Sequence, residues 1–160
     1  MLASRVAMVT FVVDQITKAI VQNVMTPHES IPLLPVLSLT YVRNPGAAFG
    51  LFGGIPDSIR LPLLIVVTGA AFWVLIGLLH ETRSEQRAVL AAIGAVIGGA
   101  AGNLVCRVRY GEVVDFIHFH WGEWYWPMFN VADTGITVGV VVIAFSSLLA
   151  SPREPRSPGA

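Results

Sequence analysis

Two aspartates carry the most chemical information in this chain. Asp115 lies in Gly111-Glu-Val-Val-Asp-Phe-Ile117 and Asp133 in Phe129-Asn-Val-Ala-Asp-Thr134, with 17 residues between them. Two carboxylates brought within a few ångströms cannot both ionise readily, so one pKa rises and the pair shares a proton. The ionised member can then take a proton from water as it attacks a carbonyl, while the protonated member donates to the carbonyl oxygen. That is the chemistry of aspartic peptide hydrolysis. A simpler reading makes Asp133 a helix N-terminal charge stabilised by free N–H groups, and both readings stand at this point.

Other polar residues fall at helical spacings. Asp14 and Lys18 are four apart in an apolar run and are expected to pair, with the lysine snorkelling toward an interface. Gly99, Asn103 and Arg107 recur at i, i+4 and i+8, which stacks a glycine, an amide and a guanidinium on one helix face. His118 and His120 lie near Asp115, but no third strong ligand follows, so no metal is expected. Ser146 and Ser147 have no histidine beside them to complete a serine triad.

The elements that must position these groups are dictated by composition. In 160 residues, 54% are hydrophobic and 12% charged, about half the charge of a typical soluble domain. Such a chain cannot cover a water-facing surface. Ten basic and ten acidic residues leave no net charge, so no nucleic-acid footprint is present. A single cysteine excludes an internal disulfide framework.

A spanning helix takes about 20 mostly apolar residues across a core about 30 Å thick. Residues 61–79, 88–106 and 131–150 fit cleanly, and 4–25 fits as a first helix interrupted by Asp14, Gln15 and Lys18. The expectation is an all-α polytopic membrane protein with four transmembrane helices in one domain over residues 1–150. Residues 151–160 are expected to form a disordered cytoplasmic tail.

Charge says little about orientation. With the termini inside, Arg5, Arg83, Arg87, Arg153 and Arg156 face the cytoplasm, against Arg43, Arg60, Arg107 and Arg109 on the other side. The connection 26–60 carries a β-like stretch over 36–42. There Val36, Ser38, Thr40 and Val42 would share one face, and Leu37, Leu39 and Tyr41 the other. The connection 107–130 holds Trp121, Trp124, Tyr125 and Trp126, a composition typical of membrane–water boundaries. Together the two connections predict a small β-like, aromatic cap. In the third span, Gly94, Gly98 and Gly102 recur every four residues and mark a face for close helix approach.

Five segments occur in order: Asp14-Gln-Ile-Thr-Lys18, Asn44-Pro-Gly-Ala-Ala-Phe-Gly50, Gly98-Gly-Ala-Ala-Gly-Asn103 with Arg107, Gly111-Glu-Val-Val-Asp-Phe-Ile117 and Phe129-Asn-Val-Ala-Asp133. Together they resemble bacterial lipoprotein signal peptidase, signal peptidase II, from Asp14 to the end of the fourth span. The resemblance implies four spans with both termini cytoplasmic in the bacterial cytoplasmic (inner) membrane. It implies Asp115 and Asp133 as a catalytic dyad toward the extracytoplasmic face. The implied substrates are prolipoproteins carrying diacylglyceryl-cysteine, cut just before that cysteine, with membrane lipid as surroundings and globomycin-type peptides as inhibitors. No cofactor, metal or nucleic acid is implied, and a monomer suffices.

Asn44, Gly46, Asn103, Arg107 and Asn130 match substrate-binding positions, and Asp14 one tied to integrity. Where the family has Asp before the arginine at Arg107, this chain has Cys106. That departure bears on the orientation of Arg107 and leaves the dyad untouched. Two other classes remain in view. A small transporter would spread ionisable residues near mid-bilayer over several helices, and a binding-only relative would lack turnover.

Overall fold

A computed structural model describes residues 2–46, 52 and 54–149 of the chain. Four helices and four strands follow in the order α1 (Leu2–Val24), β1 (Ser30–Leu34), β2 (Leu37–Asn44), α2 (Asp57–Glu81), α3 (Arg87–Tyr110), β3 (Val113–Trp121), β4 (Trp124–Tyr125) and α4 (Val131–Leu149). Residues 47–51, which continue the Asn44-Pro-Gly run, residue 53 and the tail from 150 to 160 lie outside the described residues.

Helix α3 is the central post. Its buried positions include Ile93, Gly94, Val96, Gly98, Gly99, Gly102, Asn103 and Cys106, on faces that turn toward both α1 and α4. The small residues there are required by contact. A Cβ at Gly94 or Gly98 would run into the backbone of Ala3 or Ala7 on α1, and one at Gly102 into the Asp14 carboxylate. A Cβ at Gly99 would strike the Ala132 carbonyl of α4. The glycine stripe thus seats α1, and the adjacent stripe seats α4, at backbone distance. Helix α2 packs mainly on α3 and presents apolar side chains such as Val66, Trp73 and Val74 outward, as a lipid-facing helix does.

Among the described residues three helices, α2, α3 and α4, are long and apolar enough to cross a bilayer. The expected fourth span is a helix of 23 residues, but α1 is not among those three. Asp14, Gln15 and Lys18 in its interior dilute the apolar character that the count of four assumed. The expected β-like cap is present as an antiparallel four-stranded sheet in the order β1-β2-β3-β4, so the molecule is mostly helical rather than all-α.

The predicted face pattern of the strand over 36–42 holds only in part. Alternation of buried Ser38 and Thr40 with half-buried Leu37 and Leu39 breaks at Tyr41, which is also buried. A register shift between Leu39 and Val42 in the pairing with β3 accounts for the break. Beyond it Tyr41 turns into a core cluster with Val21, Met25, Val114 and Phe116, where the end of α1 meets the sheet.

Two local devices set the course of the chain into the site. Gly111, at φ 74°, ends α3 in the left-handed conformation and returns its N–H to the Arg107 carbonyl at 2.9 Å, so β3 starts at once. Phe129 pairs with Ile117, its N–H reaching the Ile117 carbonyl at 3.1 Å and its carbonyl accepting from Ile117 at 2.8 Å. This tether holds the start of α4 against β3, two residues from Asp115.

Candidate active site

Helix α4 opens with a reciprocal cap. Asn130 precedes its first turn and accepts the Asp133 N–H on Oδ1 at 3.0 Å, while Asp133 Oδ2 accepts the Asn130 N–H at 3.2 Å. The Ala132 N–H, another donor without an intrahelical partner, is met from α1 by Asp14 Oδ1 at 3.0 Å. Asp133 is therefore a helix-start carboxylate, as the simpler reading has it. Its other oxygen, Oδ1, is directed away from the cap and toward α3.

The same Asn130 side chain reaches the second carboxylate. Its Nδ2 donates to Asp115 Oδ1 at 2.7 Å and to the Val114 carbonyl at 3.2 Å. Asn44, at the end of β2, donates to Asp115 Oδ2 at 2.9 Å. Asn103 on α3 donates to Asp133 Oδ1 at 2.8 Å. Three amides thus hold the two carboxylates, one at the sheet and one at the helix end. Asp115 is 2% exposed and Asn130 wholly buried. Burial first, and the Asp133 charge second, push the Asp115 carboxyl up to about 7, against the downward pull of the Asn44 and Asn130 donors.

Both aspartates line one cavity of about 480 Å³, together with Asn44, Asn103 and Arg107. Its remaining wall is apolar or weakly polar: Trp126, Met128 and Phe129 from the cap, and Thr134, Thr137 and Val138 along α4. Val138 is an exposed residue of a lipid-facing helix, so the cavity opens along the side of the bundle. Arg107 donates to the Gly46 carbonyl at 3.2 Å, and Gly46 N–H is held by Asn44 Oδ1 at 2.9 Å. The Gly99, Asn103, Arg107 face therefore does turn to α4 and the cavity. Arg107 Nε is buried and has no hydrogen-bond partner among the described residues. Cys106 is buried and continues the Gly94, Gly98, Gly102 spacing.

One expectation is overturned. Asp14 and Lys18 pair at 2.9 Å, but Lys18 does not snorkel: it is 2% exposed and its ammonium donates to Asn103 Oδ1 at 2.7 Å. A polar acceptor inside the bundle, supplied by α3, replaces the water an interface would offer. His118 and His120 engage Thr40 and Ser38 of β2. Gln15 went unnoticed as more than an interruption; its amide donates to Asp14 Oδ2 at 3.0 Å and to the Gly102 carbonyl at 3.2 Å. Thr137 was also missed, although its position four residues after Asp133 places it on the same helix face.

Comparison with known proteins identifies the family and the fold. A model of the family Peptidase_A8, signal peptidase (SPase) II, matches residues 6–149. The chain is 43% identical over 150 residues to a lipoprotein signal peptidase of Syntrophotalea carbinolica, covering 93% of this chain and 89% of that protein. It is 40% identical over 148 residues to one of Geobacter sulfurreducens, covering 92% and 89%. A solved bacterial membrane enzyme superposes with a TM-score of 0.84 at 29% identity, over 99% of this chain and 94% of that one. A second, at 30% identity, gives 0.80 over 94% of each. With nearly the whole described chain matched in sequence and in fold, this membrane protein belongs to the signal peptidase II family of proteases.

Proposed function

We propose that this protein is an aspartic endopeptidase that removes signal peptides from prolipoproteins carrying diacylglyceryl-cysteine, cutting just before the lipidated residue. The observation that carries the reading is the pair Asp115 and Asp133 on one cavity, held by three amides, with burial and then the Asp133 charge lifting Asp115. The dyad shares one proton. Its ionised member takes a proton from the attacking water, and its protonated member donates to the carbonyl oxygen and later to the leaving amine. In a site largely closed to water, that proton exchange is poorly screened, which strengthens it.

Asn44, Asn103, Asn130, Arg107 and the Gly46 carbonyl region are read as the substrate-binding set. A strand-like signal peptide leaving the lipid needs hydrogen bonds that lipid cannot supply, and amides and a guanidinium offer them. The apolar wall along α4 suits acyl chains, each buried CH₂ being worth about 0.8 kcal/mol. The same site would take globomycin-type peptides. No cofactor or metal enters this scheme.

In this reading α1 is the fourth span, its internal charges satisfied within the bundle rather than exposed to lipid. The single domain over 1–150 sits in the bacterial inner membrane with both termini and the tail 151–160 cytoplasmic. The dyad then lies toward the extracytoplasmic face, and a monomer suffices. The test is cleavage of a diacylglyceryl-modified prolipoprotein by the purified protein, beside Asp115→Asn and Asp133→Asn checked for folding. Each substitution is expected to lower kcat by about a thousandfold or more. Full activity in either variant removes that residue from the chemistry, and a folded but inactive parent points to a binding-only relative.

A further inference from the structure

Lys18 is a buried cation inside the bundle that the proposed mechanism does not use, and it is absent from the cavity wall. Its obvious task is to neutralise Asp14. Yet Asp14 already accepts from the Gln15 amide and from the Ala132 N–H, and the Lys18 ammonium makes a second, shorter contact at 2.7 Å with Asn103 Oδ1. Asn103 is an amide with two unlike ends. Its oxygen accepts from Lys18 and from Asn130 Nδ2 at 3.3 Å, which leaves its NH₂ on Asp133 Oδ1 at 2.8 Å. Turning that amide over would set NH₂ against an ammonium and a carbonyl oxygen against a carboxylate. In a buried, low-dielectric setting both contacts are repulsive, so the ammonium leaves one orientation.

We propose that Lys18 is a positioning residue for the peptidase reaction: through Asn103 it fixes and polarises the N–H that holds the Asp133 carboxylate. The proposal rests on the reading of Asp133 as a dyad member. It does not make Lys18 a catalytic residue, since nothing places it against substrate. The relay crosses three helices, from α1 through α3 to the first turn of α4. Asp14, by contrast, serves the same helix start through its Ala132 contact alone.

The experiment is a double-mutant cycle on kcat and KM with the purified full chain and a diacylglyceryl-modified prolipoprotein. Lys18→Met is expected to lower kcat by about tenfold or more while KM stays within about twofold, since orientation rather than binding is lost. In an Asn103→Ala background the same substitution is expected to cost less than about twofold, because the relay is already cut. Unchanged kcat in Lys18→Met, or losses that simply multiply, would overturn the proposal and leave Lys18 as a fold partner of Asp14.

Where Lys18→Met does not fold, Asp14→Asn with Lys18→Met is compared with Asp14→Asn alone, which keeps the ammonium on Asn103; the same drop in kcat is expected, and no drop overturns the proposal. The side-chain NH₂ resonances of Asn103 in ¹⁵N-labelled protein report the contact without substrate. An upfield shift of the proton bound to Asp133 on removing Lys18 supports the relay, because the amide is then less polarised, and an unmoved resonance overturns it. That measurement separates failure of the relay from failure of the peptidase reading, which an inactive parent would reveal.

Discussion

At Asp115, burial and a neighbouring carboxylate act in the same direction, and two amide donors only partly offset them. A carboxyl lifted to about 7 from the ordinary 3.8 has two consequences. Turnover that needs the shared proton is expected to decline as pH rises through about 7, which a kcat profile from pH 5.5 to 8.5 would record. Stability changes in the same direction. The folded state holds a proton that the unfolded chain has released above its own lower pKa, so Asp115 contributes stability at acid pH that is lost as pH climbs through about 7. The thermal midpoint of the parent is therefore expected to fall more steeply than that of Asp115→Asn between about pH 5 and 7, and to share its slope above about pH 7. A slope unchanged by the substitution would show that Asp115 is not perturbed. The two aspartates were legible in the sequence because costly groups near apolar spans need a reason. Lys18 was misread because a long side chain goes wherever a partner lies, and that partner is 85 positions away on another helix.

The elements depend on contacts that admit only hydrogen at the α-carbon. Gly98 meets the Ala7 backbone of α1, whereas Gly77 on α2 has nothing within 4 Å of where a Cβ would stand. Gly98→Ala must push α1 and α3 apart and drag Asp14 and Lys18 with it. Overpacking of this kind costs about 1–3 kcal/mol, so a lowered thermal midpoint with reduced turnover is expected for Gly98→Ala. Gly77→Ala should leave both unchanged, and equal behaviour of the two would refute the close contact. The spacing of the glycines announced a close-packed face, but not which helix would fill it. The strand over 36–42 was visible as a β-like run, yet its register shift was not, because a bulge is set by the partner strand.

At the scale of the whole molecule, α1 decides how the protein sits. Among the described residues three helices are apolar enough to span on their own account, and between Val6 and Val21 the charged and amide side chains of α1, Asp14, Gln15 and Lys18, turn into the bundle. Its outward residues Met8, Val12, Ile16 and Ile20 are exposed and apolar. A helix that is polar inward and apolar outward suits lipid on its outer face. With α1 as a fourth span, reporter domains fused at either terminus should both report cytoplasmic location, and a cysteine introduced at exposed Trp124 should react with an impermeant reagent from outside. Reporters on opposite sides would leave three spans. The aromatic cap residues Trp121, Trp124 and Tyr125 are all exposed, in keeping with a boundary position.

Composition and periodicity alone determined that this chain enters a membrane, roughly where its helices run, and which residues are costly enough to require a chemical reason. Those properties are local sums over neighbouring residues, so a one-dimensional reading captures them. Only the tertiary structure decided that Asn130 touches both carboxylates, that Asp14 caps a helix 118 positions away, and that Lys18 turns inward to Asn103. Each of these is a contact between distant segments. Its direction depends on which donor and acceptor are left unpaired once the helices close on their glycines, and that is settled only when the bundle and its cap are assembled.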